Sequence, residues 1–167
     1  VEDFRTDADP RKRGLAVAFL ALHGSAAAFS RIEEASLDPV SGVRQYAAWG
    51  LGRLGKGPDL RAAAIAALER LLGDRDPFIR ETAAVALADI GSPEVVPHLL
   101  TALRDPENLG SSTAWARCPC AEAVDALLAI LAGSEEDAKP RAAVALGLRG
   151  DLAALPALFL ALQSGDD

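Results

Sequence analysis

The strongest constraint on this chain is that it repeats itself. The phrase DPVSGVRQYAAWGLGRLG at 38–55 returns as DPFIRETAAVALADIG at 76–91, with looser copies DPRKRGLAVAFLALHG at 9–24 and DAKPRAAVALGLRG at 137–150. Each opens on Asp, usually Asp-Pro, runs through small residues to Leu, and closes on Gly24, Gly55, Gly91 or Gly150. A fifth phrase, DPENLGSSTAWARCPC from Asp105, keeps Asp-Pro and Ala-Trp but has lost its closing glycine. Such a chain folds as stacked units, each burying its apolar face on the next. The expected units are 9–37, 38–72, 76–104, 105–132 and 137–163, in one array spanning 1–167.

Each unit reads as two helices. Asp caps free amides and Pro suits the first helical position, so Asp-Pro starts helix A. The closing glycine supplies the left-handed residue that ends it. Helix B then follows at roughly 25–37, 59–72, 93–103, 120–131 and 152–163. PHLLTAL at Pro97 and PALFLAL at Pro156 lie 59 residues apart, the spacing that also separates Gly91 from Gly150. Composition agrees: 35 Ala and 25 Leu against 14 Val and Ile argue for an all-α chain.

The pattern resembles the short HEAT-like repeat of the phycobilisome-lyase type, D-x-x-V-R-x-x-A-A-x-A-L-G-x-L-G followed by P-x-L-x-x-x-L. It is matched at Val43-Arg44, Ala47-Ala48, Leu51-Gly52 and Leu54-Gly55, again at Ile79-Arg80, Ala83-Ala84 and Leu87, and at Ala142-Ala143 with Ala145-Leu146-Gly147. The resemblance implies an α-α superhelix, an α-solenoid with helices A outside and helices B lining a concave face. The fourth unit departs from it, with Gly110 where Arg is expected and Arg117 where Leu is expected. The repeat is a building block put to many uses, so it implies little about function.

Charge and patterning narrow the partners. A formal charge of −7 and a pI near 4.8 disfavour a phosphate backbone, so no nucleic acid is expected. No apolar run approaches the ~18–20 residues of a membrane span. Cys118 and Cys120 are too few for a disulfide framework and suggest a reducing, cytoplasmic setting. The Ala-rich, Lys-poor composition (14 Arg, 3 Lys) suggests a GC-rich bacterium. The Val start and the absence of Met suggest a piece of a longer protein. The last helix, 152–163, is apolar all round, with Leu152, Leu155, Leu158, Phe159, Leu160 and Leu162; cover by a sixth unit or self-association is expected there.

No catalytic constellation is expected, and no metal or cofactor. His23 takes the place of Leu54 and Ile90, a half-buried repeat position. His98 follows Pro97 on a B helix without a patterned carboxylate beside it. Cys118-Pro119-Cys120 offers two soft ligands where a structural metal wants four. It reads as substitutions at a turn, as a thiol activated by Arg117, or as half of a metal site shared with another chain. Asp38, Asp76 and Asp105 are expected to cap helices, and Arg44 and Arg80 to link neighbouring units, because a pair that recurs serves what the units share.

Two surfaces remain. Counted from Arg44 or its equivalent at about 100° per residue, position +5 should face water, yet it is Ala18, Trp49, Val85, Trp115 and Val144. Leu15 and Tyr46 at +2, with Leu22 and Leu148 at +9, widen this apolar band, and Tyr46, Trp49, Val85 and Trp115 are its candidate docking residues. The candidates on the concave face are Glu69, Arg70, His98, Thr101, Glu122 and Asp125. The expected function is a non-enzymatic scaffold or adaptor that binds protein partners. The rival that the resemblance allows is a bilin lyase or isomerase-like subunit acting on an open-chain tetrapyrrole.

Overall fold

The computed structural model describes residues 7–24, 26–108, 110–150, 154–156 and 158–159. Among them run nine α-helices: α1 Pro10–His23, α2 Ala26–Ala35, α3 Ser41–Leu54, α4 Pro58–Leu72, α5 Pro77–Ile90, α6 Val96–Arg104, α7 Ser111–Arg117, α8 Ala121–Ala132 and α9 Lys139–Arg149. A 3₁₀ turn, Pro93–Val95, leads into α6. The protein is an all-α superhelix. None of the described helices is long and apolar enough to cross a membrane.

Local chemistry sets the helix ends, with local exceptions. Asp9 and Asp76 cap as expected, their carboxylates accepting from the Arg11 and Phe78 amides with Pro10 and Pro77 in the first turn. Asp38 and Asp105 do not cap a helix. Each accepts the amide two residues on, Val40 and Glu107, and the helices begin later, at Ser41 and Ser111. Gly91 and Gly150 end their helices in the left-handed region, at φ 73° and 67°. Gly55 stays right-handed; it is small because an added Cβ would lie 2.7 Å from Ala64 Cβ. Gly24, at φ 19°, also stops short of the left-handed well. Pro97 sits in the first turn of α6, where amides lack partners.

The odd-numbered helices form one layer and the even-numbered helices the other. Successive odd helices lie close along their length, whereas the even helices scarcely touch one another. Small residues cause the difference. A Cβ added to Gly50 of α3 would lie 3.1 Å from Ala21 Cβ of α1, and one added to Gly52 would lie 2.8 Å from both Cβ and the carbonyl oxygen of Ala86 on α5. The space between the layers is filled by larger chains, among them Leu51, Leu68, Leu87, Leu99, Leu103 and Leu127, all fully buried. A stack that is tighter on one side bends toward that side. The A helices therefore lie inside the bend and the B helices outside, the reverse of the expected arrangement.

Arginines tie unit to unit, and more regularly than Arg44 and Arg80 alone suggested. Arg13 grips Asp38 through Nε and Nη2 at 2.8 and 2.9 Å, and Arg44 grips Asp74 through the same two atoms at 2.7 and 2.8 Å. Both pairs are largely buried. The third guanidinium nitrogen of each donates to the carbonyl six residues back, Asp7 for Arg13 and Asp38 for Arg44, and Arg80 repeats this with Asp74. Arg80 holds the following unit more loosely, 3.3 Å from Asp105 and 3.1 Å from Glu107. The fourth rung is missing. Six residues after Asp105 stands Ser111, buried with its hydroxyl unpartnered, beside the likewise buried and unpartnered amide of Asn108.

Burial works to raise the Asp38 and Asp74 carboxyls. The guanidinium bonds of Arg13 and Arg44, the Val40 and Asp76 amides and the nearby cations outweigh it and hold both below the ordinary value.

Candidate functional site

The open surface of the A layer carries the apolar band. Tyr46 and Trp49 of α3 are each 42% exposed, the ring of Tyr46 lying over Gly14 of α1. Trp49 faces the other way, toward α5. Together with Gly52, Arg53, Lys56, Thr82, Val85, Ala86 and Asp89 it lines a groove between α3 and α5. The close approach of Gly52 to Ala86 makes the floor, while Trp49 and the half-buried Val85 make apolar walls. Arg53 is tethered through Nε to the Ala21 carbonyl at 3.2 Å, and Lys56 is exposed beside it. Asp89, at the same end, takes both Nε and Nη2 of Arg117 from α7 at 2.8–3.0 Å.

Trp115 does not belong to this band. It is wholly buried, and its indole N–H donates to the Leu99 carbonyl at 3.0 Å. The reason is register. The Asp-to-Arg spacing of six, seen at Asp7/Arg13, Asp38/Arg44 and Asp74/Arg80, makes Ser111 the counterpart of Arg in the fourth unit, in place of Gly110. Trp115 then falls at +4, with Ala48 and Ala84, in the core. The exposed Thr113 and half-buried Ala116 occupy +2 and +5. Gly110 is small for a different reason, since Glu81 of α5 packs on it. The band continues at the last described unit through the exposed Val144 and Leu148.

The expected concave candidates sit on the outer side of the bend. Glu69, His98 and Thr101 do come together, in a hollow between α4 and α6 that also includes Leu72, Gly73, Ala102 and Asp105. His98 Nδ1 lies 3.5 Å from Glu69 Oε1, and the Thr101 hydroxyl donates to the Pro97 carbonyl. Arg70 is engaged elsewhere, with Glu33 of α2 at 2.8 Å. Glu122 and Asp125 are exposed on α8, away from this hollow.

His23 is exposed, contrary to expectation. Its ring stacks on Phe19 at 4.0 Å, and Nδ1 lies 2.8 Å from the Phe19 carbonyl. Cys118 and Cys120 are both buried free thiols, their Sγ atoms 2.8 Å apart. Burial, reinforced by the hydrogen bond with Cys120, pushes the Cys118 thiol up to about 12. Such a group is protonated at neutral pH and is a poor nucleophile, which opposes the activated-thiol reading. Pro119 between them covers Gly91 at the end of α5, and Arg149 donates to the carbonyls of Trp115 and Cys118, so this turn packs the fourth unit against its neighbours. Of the expected last helix, 152–163, only 154–156 and 158–159 are described. There Ala154 is buried while Leu155 and Phe159 are exposed. Leu152, Leu160, Leu162 and Gln163 lie outside the described residues.

Comparison with known proteins agrees with this architecture. Residues 43–117 match the family model for HEAT repeats, so this stretch of the chain is similar to HEAT repeats. Eighteen chains of known structure match it. One is an engineered protein whose crystal structure was determined as a structural-genomics consortium target. The two are 22% identical, with a TM-score of 0.55 over 95% of this chain and 82% of that one, a likeness of fold. No curated protein matches the sequence.

Proposed function

We propose that this repeat-built helical scaffold is a non-enzymatic adaptor that binds a protein through the open surface of its A layer. The observation that carries the reading is the exposure of Tyr46 and Trp49 beside the α3–α5 groove. Two large aromatics on a rigid helix, next to a cleft floored by backbone and rimmed by Arg53 and Lys56, have the composition of an interface anchor. Apolar side chains recur on this surface at Tyr46 and Trp49, at Val85 and at Val144 and Leu148, a repeating form that a solenoid offers to an extended partner.

A photo-crosslinking residue in place of Trp49 tests this. In extract of the native host it should capture a defined protein that the same residue in place of Ala129, exposed on α8, does not. Equal capture from both positions would overturn the assignment. The finer resemblance to the phycobilisome-lyase repeat type makes a bilin lyase-like subunit the rival. Mixing with an open-chain tetrapyrrole separates the two, because only the lyase reading predicts a shift in its visible absorbance.

A further inference from the structure

Among the described residues, the rungs that join the units leave one carboxylate without its arginine. In Asp38, Asp74 and Asp105 one carboxylate oxygen accepts the backbone amide two residues on, at 2.9–3.0 Å. The carboxylate so fixed faces back along the array and meets the arginine of the preceding unit: Arg13, Arg44 and Arg80 in turn. Asp7 is built the same way. Its Oδ1 accepts the Asp9 amide at 2.9 Å, and its carbonyl takes Arg13 Nη1 at 2.7 Å, as the Asp38 and Asp74 carbonyls take Arg44 and Arg80. The pattern Asp-x-Asp-Pro-x-x-Arg is identical at 7–13 and 74–80. Yet among the described residues no guanidinium reaches Asp7, and its ion pair there is with Lys12 of its own unit, at 3.7 Å.

The apolar residues beside it obey the same register. On α3, Tyr46 at +2 lies on Gly14 at +1 of the preceding helix. Gly50 at +6 lies against Ala21 at +8, and Arg53 at +9 reaches the Ala21 carbonyl. The same three positions on α1 are Leu15, Phe19 and Leu22, which are 64%, 59% and 55% exposed. Leu15 and Leu22 therefore belong, with Phe19, to the stacking edge of the first unit more than to the band that those two leucines were expected to widen. The partner positions follow from the observed contacts: an arginine for Asp7, a very small residue one place after it beneath Leu15, and a small residue eight places after it beside Phe19.

We propose that the edge formed by Asp7, Leu15, Phe19 and Leu22 is a docking surface for an α-helix of that pattern, Arg-Gly or Arg-Ala with Ala or Gly eight residues past the arginine. Charge complementarity at Asp7 and continuity with the α1–α3 interface identify the occupant as a helix of the repeat type. A bare apolar segment would leave the fixed carboxylate of Asp7 unmatched as water is excluded from it.

Unit 1 itself has the required pattern, in Arg13, Gly14 and Ala21. The test is a chain in which a second copy of residues 7–37 is placed directly before Asp7 in place of residues 1–6. The added copy's Arg13 then stands 25 residues before Asp7, the same separation that Arg13 and Asp38 span. The expected result is a higher Tm than the parent chain, with slow amide exchange in the added helix. Arg13→Ala in the added copy, or Asp7→Ala at the junction, should remove most of the gain. An unchanged Tm with freely exchanging added amides would overturn the proposal. Sedimentation of the parent chain reads the other occupant: a dimer lost in Phe19→Asp but intact in Asp7→Ala would seat a second copy on the apolar stripe and refute the arginine pattern.

Discussion

The two tryptophans stand in opposite environments, and each single substitution reads one of them. Trp115→Ala should cost about 3–5 kcal/mol, because it empties a dry site and strips the Leu99 carbonyl of an indole donor. Trp49→Ala should cost under about 1 kcal/mol, as exposed positions do. Chemical denaturation measures both. In emission, Trp115→Phe should leave a red-shifted, iodide-quenched spectrum and Trp49→Phe a blue-shifted, protected one. Gly91→Val should destabilise for two reasons at once: a β-branched residue resists φ 73°, and its Cβ would press on Pro119 at 3.0 Å. The Cys118 thiol gives a pH prediction of its own. Its folded value, about 12, stands above the ordinary 9.0. Its contribution is therefore complete below pH 9 and is lost as pH rises through 12. A Cys118→Ala chain should lose less stability between pH 9 and 11 than the parent does, by denaturant midpoint. Trp115 also shows what a residue-by-residue reading missed. With no arginine at the opening position of the fourth unit, the register was placed from the Ala-Trp phrase and slipped by one. The six-residue step from Asp105 to Ser111 was the signal that would have corrected it.

At the level of the element, the units are coupled by paired charges as well as by packing. Asp74→Ala leaves the guanidinium of Arg44 buried among carbonyls without its carboxylate, and should cost about 2–4 kcal/mol. The exposed Arg104–Glu135 pair spans a comparable step in the chain, yet Glu135→Ala should leave the denaturant midpoint close to the parent's. Asp38 and Asp74 also predict acid sensitivity. Their folded values lie below the ordinary 3.8, so the stability they add is present above that pH and is lost as pH falls through the depressed values. Denaturant midpoints from pH 5 to 2 should fall steeply in the parent and less steeply in an Asp38→Ala, Asp74→Ala chain. An equal slope in both would remove the rungs from the account. Most of the helices themselves were legible, because Asp-Pro and the closing glycines state local rules. The helix starts at Ser41 and Ser111 were not, since an Asp that fixes its own turn to receive an arginine looks the same in sequence as an Asp that caps. Asp7 escaped notice for that reason too.

Over the whole molecule, the direction of the bend was written in side-chain size and was misread through the family resemblance. The Gly and Ala contacts of α1, α3 and α5, against the leucines between the layers, place the tight side of the stack where the helices named A lie. That inversion puts Tyr46 and Trp49 inside the curve, where a bound chain meets several units at once, and puts Glu69, His98 and Thr101 outside it. The rungs do not run evenly along this curve. Two are bidentate and buried, the third is stretched over Asp105 and Glu107, and the fourth is replaced by Ser111 and Asn108, neither with a partner for its side chain. Considered as a spring, the superhelix is stiff through its first three units and compliant at the fourth. Pulled from its two ends, it should yield first where α7 meets α9, in a small low-force extension that precedes the rupture of the remainder. Single-molecule force spectroscopy would resolve that step.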